Sequence, residues 1–214
     1  MASQAFGQSA ELAGWNPHYS GGAHTYHVYH TMFHYDYNVL ANGTQLLHVD
    51  NSTFTPGKPD LTFHAGTDKN APVVSVCKFG HFWQTFKVGF GDPENPNDVV
   101  WEDLASTSLM QFKYRVEVTV SSKSGGNRRS FLWKKSLFGH DLRLIDEKTG
   151  VVAAMFNSTL FSFKKSGRFE VYKSYGPDFD LMALTTGLGL AEKQRRREGA
   201  SGGGGGGGGG DGGG

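Results

Sequence analysis

The clearest hydrophobic pattern in the chain is an alternation between residues 110 and 121. Apolar side chains occupy every second position, and polar or charged side chains occupy the positions between them. A period of two residues predicts a β-strand with one face in a core and the other in water. The apolar face carries Phe112, Tyr114, Val116, Val118 and Val120, and the polar face carries Lys113, Arg115, Glu117 and Thr119.

Short strand-like segments separated by turn residues recur along most of the chain. The strongest hairpin signal is Asn42-Gly43, because this pair accepts the positive φ that a type I′ turn requires. Many short strands joined mostly by tight turns predict a mainly β fold, an antiparallel barrel or sandwich. Strands are predicted at 24–34, 35–41, 44–50, 61–65, 73–79, 82–90, 99–104, 110–121, 128–136, 142–146, 151–157, 160–163 and 168–172.

Residues 179–197 depart from this pattern and predict a helix. From Leu181 to Ala191 the segment has no charge, and its apolar residues point in all directions around a helix. Such a helix is expected to be buried on every side, and it is too short to cross a bilayer, which takes roughly 20 residues. Its predicted core residues are Phe179, Leu181, Met182, Leu184, Leu188 and Leu190.

Two glycines inside this helix indicate what surrounds it. Gly187 and Gly189 each cost roughly 1 kcal/mol relative to Ala, and close approach of neighbouring strands to the helix backbone would explain them. We therefore predict a closed antiparallel barrel of about twelve strands that encloses the C-terminal helix. Asp178 is the predicted N-cap, and the charged end that begins at Glu192 is predicted to leave the core into water.

Composition predicts one domain with two flanking segments. Residues 1–22 are small and polar and predict a flexible N-terminal arm, residues 23–197 the barrel, and the glycine-rich residues 198–214 a disordered tail. The N-terminal residues do not resemble a signal peptide, and the single cysteine excludes an intramolecular disulfide. The expected location is the cytoplasm, with peripheral attachment to the plasma membrane or a nuclear location as alternatives.

Charge is distributed unevenly along the chain. Residues 1–111 contain 4 Lys or Arg and 10 Asp or Glu, whereas residues 112–214 contain 17 and 10. An anionic partner is therefore expected to meet the second half. The candidate cations lie on consecutive predicted strands or their turns: Lys113, Arg115, Arg128, Arg129, Lys134, Lys135, Lys164, Lys165 and Arg168.

Several motifs in the second half resemble one family. They are the basic, Trp-containing strand Phe131-Leu-Trp-Lys-Lys135, the Leu-x-Leu…Asp-x-x-Thr-Gly hairpin that starts at Leu142, a strand pair around Gly167, and the final helix. Together they resemble the tubby C-terminal-like superfamily, which includes tubby proteins, phospholipid scramblases and LURP-one-related proteins. The motifs cover residues 110–197, whereas residues 24–104 match only in general β character. The resemblance is to small single-domain members, and it implies a closed barrel around the helix.

The resemblance also implies a function without catalysis. Tubby-like proteins bind phosphoinositides through Lys and Arg on barrel strands, so the cations above are expected to bind anionic phospholipid headgroups at a membrane surface. Lys164 and Lys165 are the pair whose removal is expected to weaken binding. The alternatives are a scramblase-like protein that moves phospholipid, and a soluble scaffold or adaptor with an unknown protein partner.

The spacing of the histidines and of the cysteine gives little support for a metal-binding or catalytic site. His30 and His34 come closest to a metal pair, but they lie about 13 Å apart along a strand and no carboxylate or cysteine has matching spacing, so no metal site is predicted. Cys77 with His81 allows a nucleophile–base interpretation, although a cysteine in an apolar strand is more typical of a core. The sequence has no nucleophile elbow and no phosphate-binding glycine loop, so neither an enzyme nor a cofactor is predicted.

The basic run at the helix end has two interpretations. Lys193 with Arg195-Arg196-Arg197 is compatible with a nuclear signal or a nucleic-acid contact. The same residues also suit a helix C-terminus, where cations complement the dipole and the last carbonyls. Because no aromatic-basic RNA motif accompanies the run, nucleic acid is not a predicted partner.

Overall fold

A computed structural model of the chain describes residues 15, 22–31, 35–53, 55, 57–80, 85–97, 99–108, 112–120, 127–136, 141–158 and 166–201. Within these ranges the chain forms twelve strands and a long C-terminal helix, α1, which runs over Pro177–Ser201. The strands are β1 His24–His30, β2 Tyr37–Ala41, β3 Thr44–Asn51, β4 Leu61–Ala65, β5 Val73–Phe79, β6 Thr85–Phe90, β7 Val100–Ser106, β8 Lys113–Val120, β9 Asn127–Lys135, β10 Asp141–Asp146, β11 Val152–Ser158 and β12 Ser166–Val171.

The strands close into an antiparallel barrel. Each strand pairs with its neighbours in the chain, and β1 pairs with β12 to complete the ring. This closing pair sets Tyr26 opposite Phe169, and both side chains are buried. Closure gives every described strand a neighbour on each side, and the shortest pairing joins β7 to β8 at two positions, Ala105 with Arg115 and Ser106 with Tyr114. The predicted mainly β barrel is confirmed.

Alternation along the strands separates a core face from a solvent face. In β8, Val116 and Val118 are buried inside the barrel, whereas Arg115 and Glu117 are exposed on its outer surface. Such alternation is required wherever one face of a sheet is buried, because a slip of one residue would turn every side chain to the other face. The inward side chains of the ring then need a partner to pack against.

Helix α1 is that partner. Every residue from Asp178 to Lys193 is buried, so strands must surround all sides of the helix over this stretch. The six residues predicted for its core are each at most 2% exposed. Trp133 also donates a hydrogen bond from Nε1 to Thr186 Oγ1 at 2.9 Å, which pairs two polar atoms inside the barrel. The helix is thus the centre of the hydrophobic core.

The two glycines of α1 lie where strands approach from opposite sides. A Cβ atom on Gly187 would lie 3.0 Å from the Phe169 ring on β12 and 3.1 Å from the Trp133 ring on β9. A Cβ atom on Gly189 would lie 3.0 Å from the Cys77 sulfur on β5. These contacts explain why the helix accepts two residues of poor helix propensity.

We expect Gly187→Leu to destabilise the barrel by about 1–3 kcal/mol or more, because the added side chain has to displace two packed aromatic rings. Gly199→Leu is the matched control: it lies in the same helix, with no atom within 4 Å of its added Cβ. There the gain in helix propensity is expected to raise stability by up to about 1 kcal/mol. Urea unfolding of both variants measures the difference, and equal stabilities would contradict the close approach.

Helix α1 is longer than predicted at both ends. It begins at Pro177, so Asp178 lies in the first turn and is not the N-cap. Proline suits this first position, because its fixed φ is helical and its missing N–H would have no helical acceptor. At the other end the helix continues to Ser201, into the predicted tail. Residues 202–214 of that tail lie outside the described residues.

Two other predicted segments lie wholly or mostly outside the described residues. One of them is the predicted strand 160–163. The strand that follows it, β12, pairs with both β11 and β1, and its Arg168 lies opposite Asn157 on β11 and His27 on β1. Most of the predicted arm also lies outside the described ranges. Trp15, however, is buried and donates a hydrogen bond from Nε1 to the Pro177 carbonyl at 2.8 Å, so this part of the arm packs on the start of α1.

Candidate functional site

Four of the predicted cations are held in ion pairs. Arg128, for example, donates to both carboxylate oxygens of Glu102, at 2.8 and 2.7 Å. Exposed pairs of this kind add little stability, but they neutralise the charge that a ligand would otherwise meet. The four pairs are Arg115–Glu147, Arg128–Glu102, Arg129–Asp146 and Arg168–Glu170, each with a closest contact of 2.7 Å.

Three cations form an unpaired row on the outer face of the barrel. Lys113 on β8 is the register partner of Lys134 on β9, and Lys134 is in turn the partner of Arg143 on β10. Neighbouring strands are about 5 Å apart, so the row spans about 10 Å. No described residue forms an ion pair with any of the three. We call Lys113, Lys134 and Arg143 the basic row; Arg143 was not among the predicted residues.

The basic row lies near the barrel end where α1 terminates, which we call the C-terminal mouth. β8 begins there and β9 ends there. Lys135, the last residue of β9, turns inward and lines a pocket at this mouth. The predicted residues Lys164 and Lys165 lie outside the described residues.

The pocket at the C-terminal mouth has a volume of about 260 Å³. Its walls combine aromatic rings from the start of β8 with charged and polar side chains from β9 and the last turns of α1. This mixture of apolar surface with a few converging polar groups is typical of a small-ligand site. The lining residues are Phe112, Tyr114, Lys135, Lys193, Gln194, Arg197 and Glu198.

Lys193 is the unusual member of this set. The residue is only 4% exposed, and its Nζ atom is shielded from solvent and has no hydrogen-bond partner in the described part of the chain. Nζ lies over two aromatic rings, 5.3 Å from the centroid of Phe86 and 5.2 Å from that of Tyr114. Burial lowers the pKa of Lys193 to about 8, since the charged amine is poorly solvated there. These ring contacts replace part of its lost hydration.

Glu192, the preceding residue, is fully buried and well paired. Desolvation opposes its ionisation, but hydrogen bonds from Arg195, Tyr37 and Arg196 outweigh that effect, and the pKa of Glu192 lies below its ordinary value. Both arginines donate at 2.7 to 2.8 Å, and Asn51 on β3 donates at 3.1 Å. The charged end therefore leaves the core later than predicted: Glu192 and Lys193 remain inside the barrel, and the helix is exposed from Arg197 to Gly199.

The opposite mouth is closed by a second set of polar contacts. Asp180 in the first turns of α1 is fully buried and accepts hydrogen bonds from Tyr26 at 2.9 Å and from Ser174 at 2.7 Å. His24 lies 2.6 Å from the same carboxylate, and this contact raises the pKa of His24. Asp146 likewise binds Arg129 and Tyr175. These contacts fix the start of the helix at this mouth.

The histidines and the cysteine do not form a reactive site in the described part of the chain. His30 packs on the Tyr37 ring with centroids 4.2 Å apart, and His34 lies outside the described residues. The described ranges contain no group of three or more metal-ligating side chains. Cys77 is fully buried and its thiol donates to the Thr185 carbonyl at 3.5 Å. Burial raises the pKa of this thiol, which disfavours the thiolate nucleophile, and His81 lies outside the described residues.

The sequence does not predict the pocket. Its patterns place Lys193 and Arg197 in a basic helix end, and Phe112 and Tyr114 on the apolar face of a strand. A signal was available in the spacing of the helix, because Glu192 is three and four residues from Arg195 and Arg196, which predicts mutual pairing. That pairing leaves Lys193 and Arg197 without this carboxylate.

Comparisons with protein-family models, with curated proteins and with solved structures found no match to this chain. Within the described ranges, no helix has the length and apolar character that crossing a membrane requires.

Proposed function

We propose that this chain is a non-enzymatic, tubby-like domain that binds anionic phospholipid headgroups, phosphoinositides among them, at a membrane surface. The observation that supports the proposal is the contrast between two groups of cations. Arg115, Arg128 and Arg168 are neutralised by carboxylates, whereas the three cations of the basic row have no ion pair with a described residue. An anionic surface would provide the missing counter-charge.

Electrostatic attraction between the basic row and an anionic membrane accounts for weak, peripheral binding. Each Lys or Arg near an anionic membrane contributes on the order of 1 kcal/mol, so the three cations of the basic row supply about 3 kcal/mol. Anionic lipids are concentrated in the cytoplasmic leaflet, which agrees with the cytoplasmic location expected from the sequence. Because exposed charges are screened by salt, binding should weaken as ionic strength rises.

Vesicle flotation tests the proposal. The protein is expected to float with phosphatidylcholine vesicles that contain phosphatidylinositol bisphosphate at low salt, and not with phosphatidylcholine alone. Replacing the basic row by Lys113→Ala, Lys134→Ala and Arg143→Ala should weaken binding at least tenfold, since about 3 kcal/mol of attraction is lost.

The matched control is Arg115→Ala with Arg128→Ala and Arg168→Ala, which changes the net charge equally but removes only ion-paired cations. Its flotation should fall less than that of the basic-row variant. Equal losses in the two variants, or equal flotation on neutral vesicles, would contradict headgroup recognition by the basic row. Movement of a fluorescent lipid between leaflets, followed by dithionite quenching, would instead favour the scramblase-like alternative.

A further inference from the structure

A second, separate site is indicated by the pocket at the C-terminal mouth. Lys193 contributes a buried ammonium that has no hydrogen-bond partner among the described residues, and Lys135 and Arg197 line the same cavity. Glu198 is the carboxylate of the lining, and it accepts a hydrogen bond from Gln194 at 2.7 Å. Three cations and one carboxylate leave the pocket with a formal charge of +2 while Lys193 is protonated.

A buried ammonium without a partner is costly, so its presence needs a reason. Burying a charge without hydrogen bonds destabilises a fold, and an apolar side chain of similar length would fill the same space without that cost. The rings of Phe86 and Tyr114 offset only part of it. Residues that reduce stability in this way are typical of binding sites, where the missing partner is supplied by a ligand.

We propose that this pocket binds a small phosphomonoester whose organic part is apolar or aromatic. Lys193 donates to the phosphate at the inner end, and Arg197 and Lys135 donate at the entrance. The apolar part packs on the rings of Tyr114 and Phe112. Because Nζ of Lys193 is shielded from solvent, entry of the phosphate involves a side-chain adjustment of the kind that is common on binding.

The chemistry of the lining selects this ligand class. A phosphomonoester carries a charge near −2 at neutral pH, which matches the formal charge of the pocket. Arg and Lys are the residues that bind phosphate oxygens most strongly, Arg through a planar fork and Lys as a point charge. The volume of about 260 Å³ lies just below the range for drug-sized ligands, so the organic part is restricted to about one ring or a short chain.

This site is distinct from the basic row. The row lies on the outer face of β8, β9 and β10, whereas the pocket opens at the mouth between Tyr114, Lys135 and the end of α1. Pocket binding therefore requires no membrane and can be measured with soluble ligands. A failure of vesicle flotation would leave the pocket proposal intact. A failure of soluble ligands to bind the pocket would likewise leave the membrane proposal intact.

Calorimetric titration of the full chain with phenyl phosphate tests the proposal, with benzyl alcohol as the uncharged analogue. Phenyl phosphate is expected to bind with a Kd of about 1 mM or lower, and benzyl alcohol is not expected to bind. Lys193→Met should weaken phenyl phosphate about tenfold to a hundredfold, the usual effect of losing a hydrogen bond to a charged group. Lys87→Met, which removes an exposed lysine paired with Asp103, should change nothing.

A parallel titration with monomeric dihexanoyl phosphatidic acid distinguishes a lipid source of the phosphate from a soluble one. The ligand that binds more tightly identifies the source of the phosphate. Either result supports the site, provided that Lys193→Met abolishes or weakens binding of that ligand. Absence of heat with both ligands at about 1 mM, or equal affinity in Lys193→Met, would overturn the proposal.

Thermal unfolding separates a binding role of Lys193 from a structural one. Without ligand, Lys193→Met is expected to raise the Tm by about 2–4 °C or more, since it removes an unpaired buried charge. A role that is only structural, through the contacts to Phe86 and Tyr114, predicts a lower Tm and unchanged phosphate binding instead. That result would count against the proposal.

The pH dependence of binding supplies a further readout. Lys193, with its pKa at about 8, has to be protonated to donate to phosphate, so affinity should fall as the pH rises through 8. The charged or titratable groups that share the pocket are Tyr114 on β8, Lys135 on β9, and Arg197 and Glu198 on α1. Burial raises the pKa of Tyr114 above its ordinary value of 10, so its phenol stays neutral in this range. Affinity that stays constant to pH 9 in the native chain would contradict the role of Lys193.

Discussion

Removal of residues 177–214 is expected to abolish the cooperative unfolding transition of the domain. Helix α1 provides a continuous run of buried residues inside the barrel, among them Phe179, Leu181, Met182, Leu184, Leu188 and Leu190. Burial of each large apolar side chain contributes about 1.5–3 kcal/mol, whereas a whole domain is stable by only about 5–15 kcal/mol. The truncated chain would also expose the inward rings of Trp133 and Phe169. We therefore expect an unfolded or aggregated product.

Near-ultraviolet circular dichroism and thermal unfolding measure this outcome. The matched control is a chain truncated after Ser201, which keeps α1 complete and removes only residues beyond the described helix. It should unfold cooperatively, near the Tm of the full chain. A folded, soluble protein that lacks residues 177–214 would overturn the role of α1 as the centre of the core.

Glu192→Ala is expected to destabilise the domain by about 3–5 kcal/mol. The Glu192 carboxylate is fully buried and accepts hydrogen bonds from Tyr37, Asn51, Arg195 and Arg196. Removing one partner of a buried pair leaves the others desolvated and unpaired, which costs more than the pair itself contributes. Equilibrium unfolding in urea measures the loss. Glu198→Ala, at an exposed position of the same helix, should change stability by about 0.5 kcal/mol or less.

The same carboxylate makes stability depend on pH in a defined direction. Because the folded-state pKa of Glu192 is depressed, its contribution is complete above the unfolded-state pKa, about 4.3. The contribution is lost as the pH falls below that value through the folded-state pKa. Between pH 5 and pH 3, Glu192→Gln should therefore lose less stability than the native chain does. A parallel decline in both proteins would show that other carboxylates control acid unfolding.

Much of the fold could be predicted from local patterns. A period of two residues identifies half-buried strands, and an uncharged stretch without a polar face identifies a helix that is buried on all sides. For a chain of this size, a closed barrel is an economical way to surround such a helix. The ends of the helix are predicted less accurately, because Pro177 is compatible with a turn as well as with a first helical residue, and the residues after Arg197 are compatible with a tail as well as with a helix.

The candidate site could be predicted only in part, because ion pairing depends on register. Lys113 and Arg115 share the outer face of β8 and look equivalent in the sequence. The fold brings the Glu147 carboxylate to 2.7 Å from Arg115, but it sets Lys113 beside Lys134. Glu147 is 32 residues away in the chain, so no local pattern could distinguish the two cations. The unpaired basic row is thus a property of the sheet and not of any strand.

The sequence by itself determined the strands and the burial of α1 on all sides, because the hydrophobic patterns behind these features lie within single elements. Closure joins β1 to β12, which are far apart in the chain, and the sequence predicts it only through the need to enclose that helix. The tertiary structure alone decided how far along α1 burial extends. The apolar stretch of eleven residues spans about 16 Å at 1.5 Å per residue, whereas burial from Asp178 to Lys193 spans about 24 Å. The barrel is therefore taller than the apolar stretch of its helix. For that reason charged residues are buried at both mouths. Asp180 and Glu192 have hydrogen-bond partners there, whereas the Lys193 ammonium has none within the described ranges.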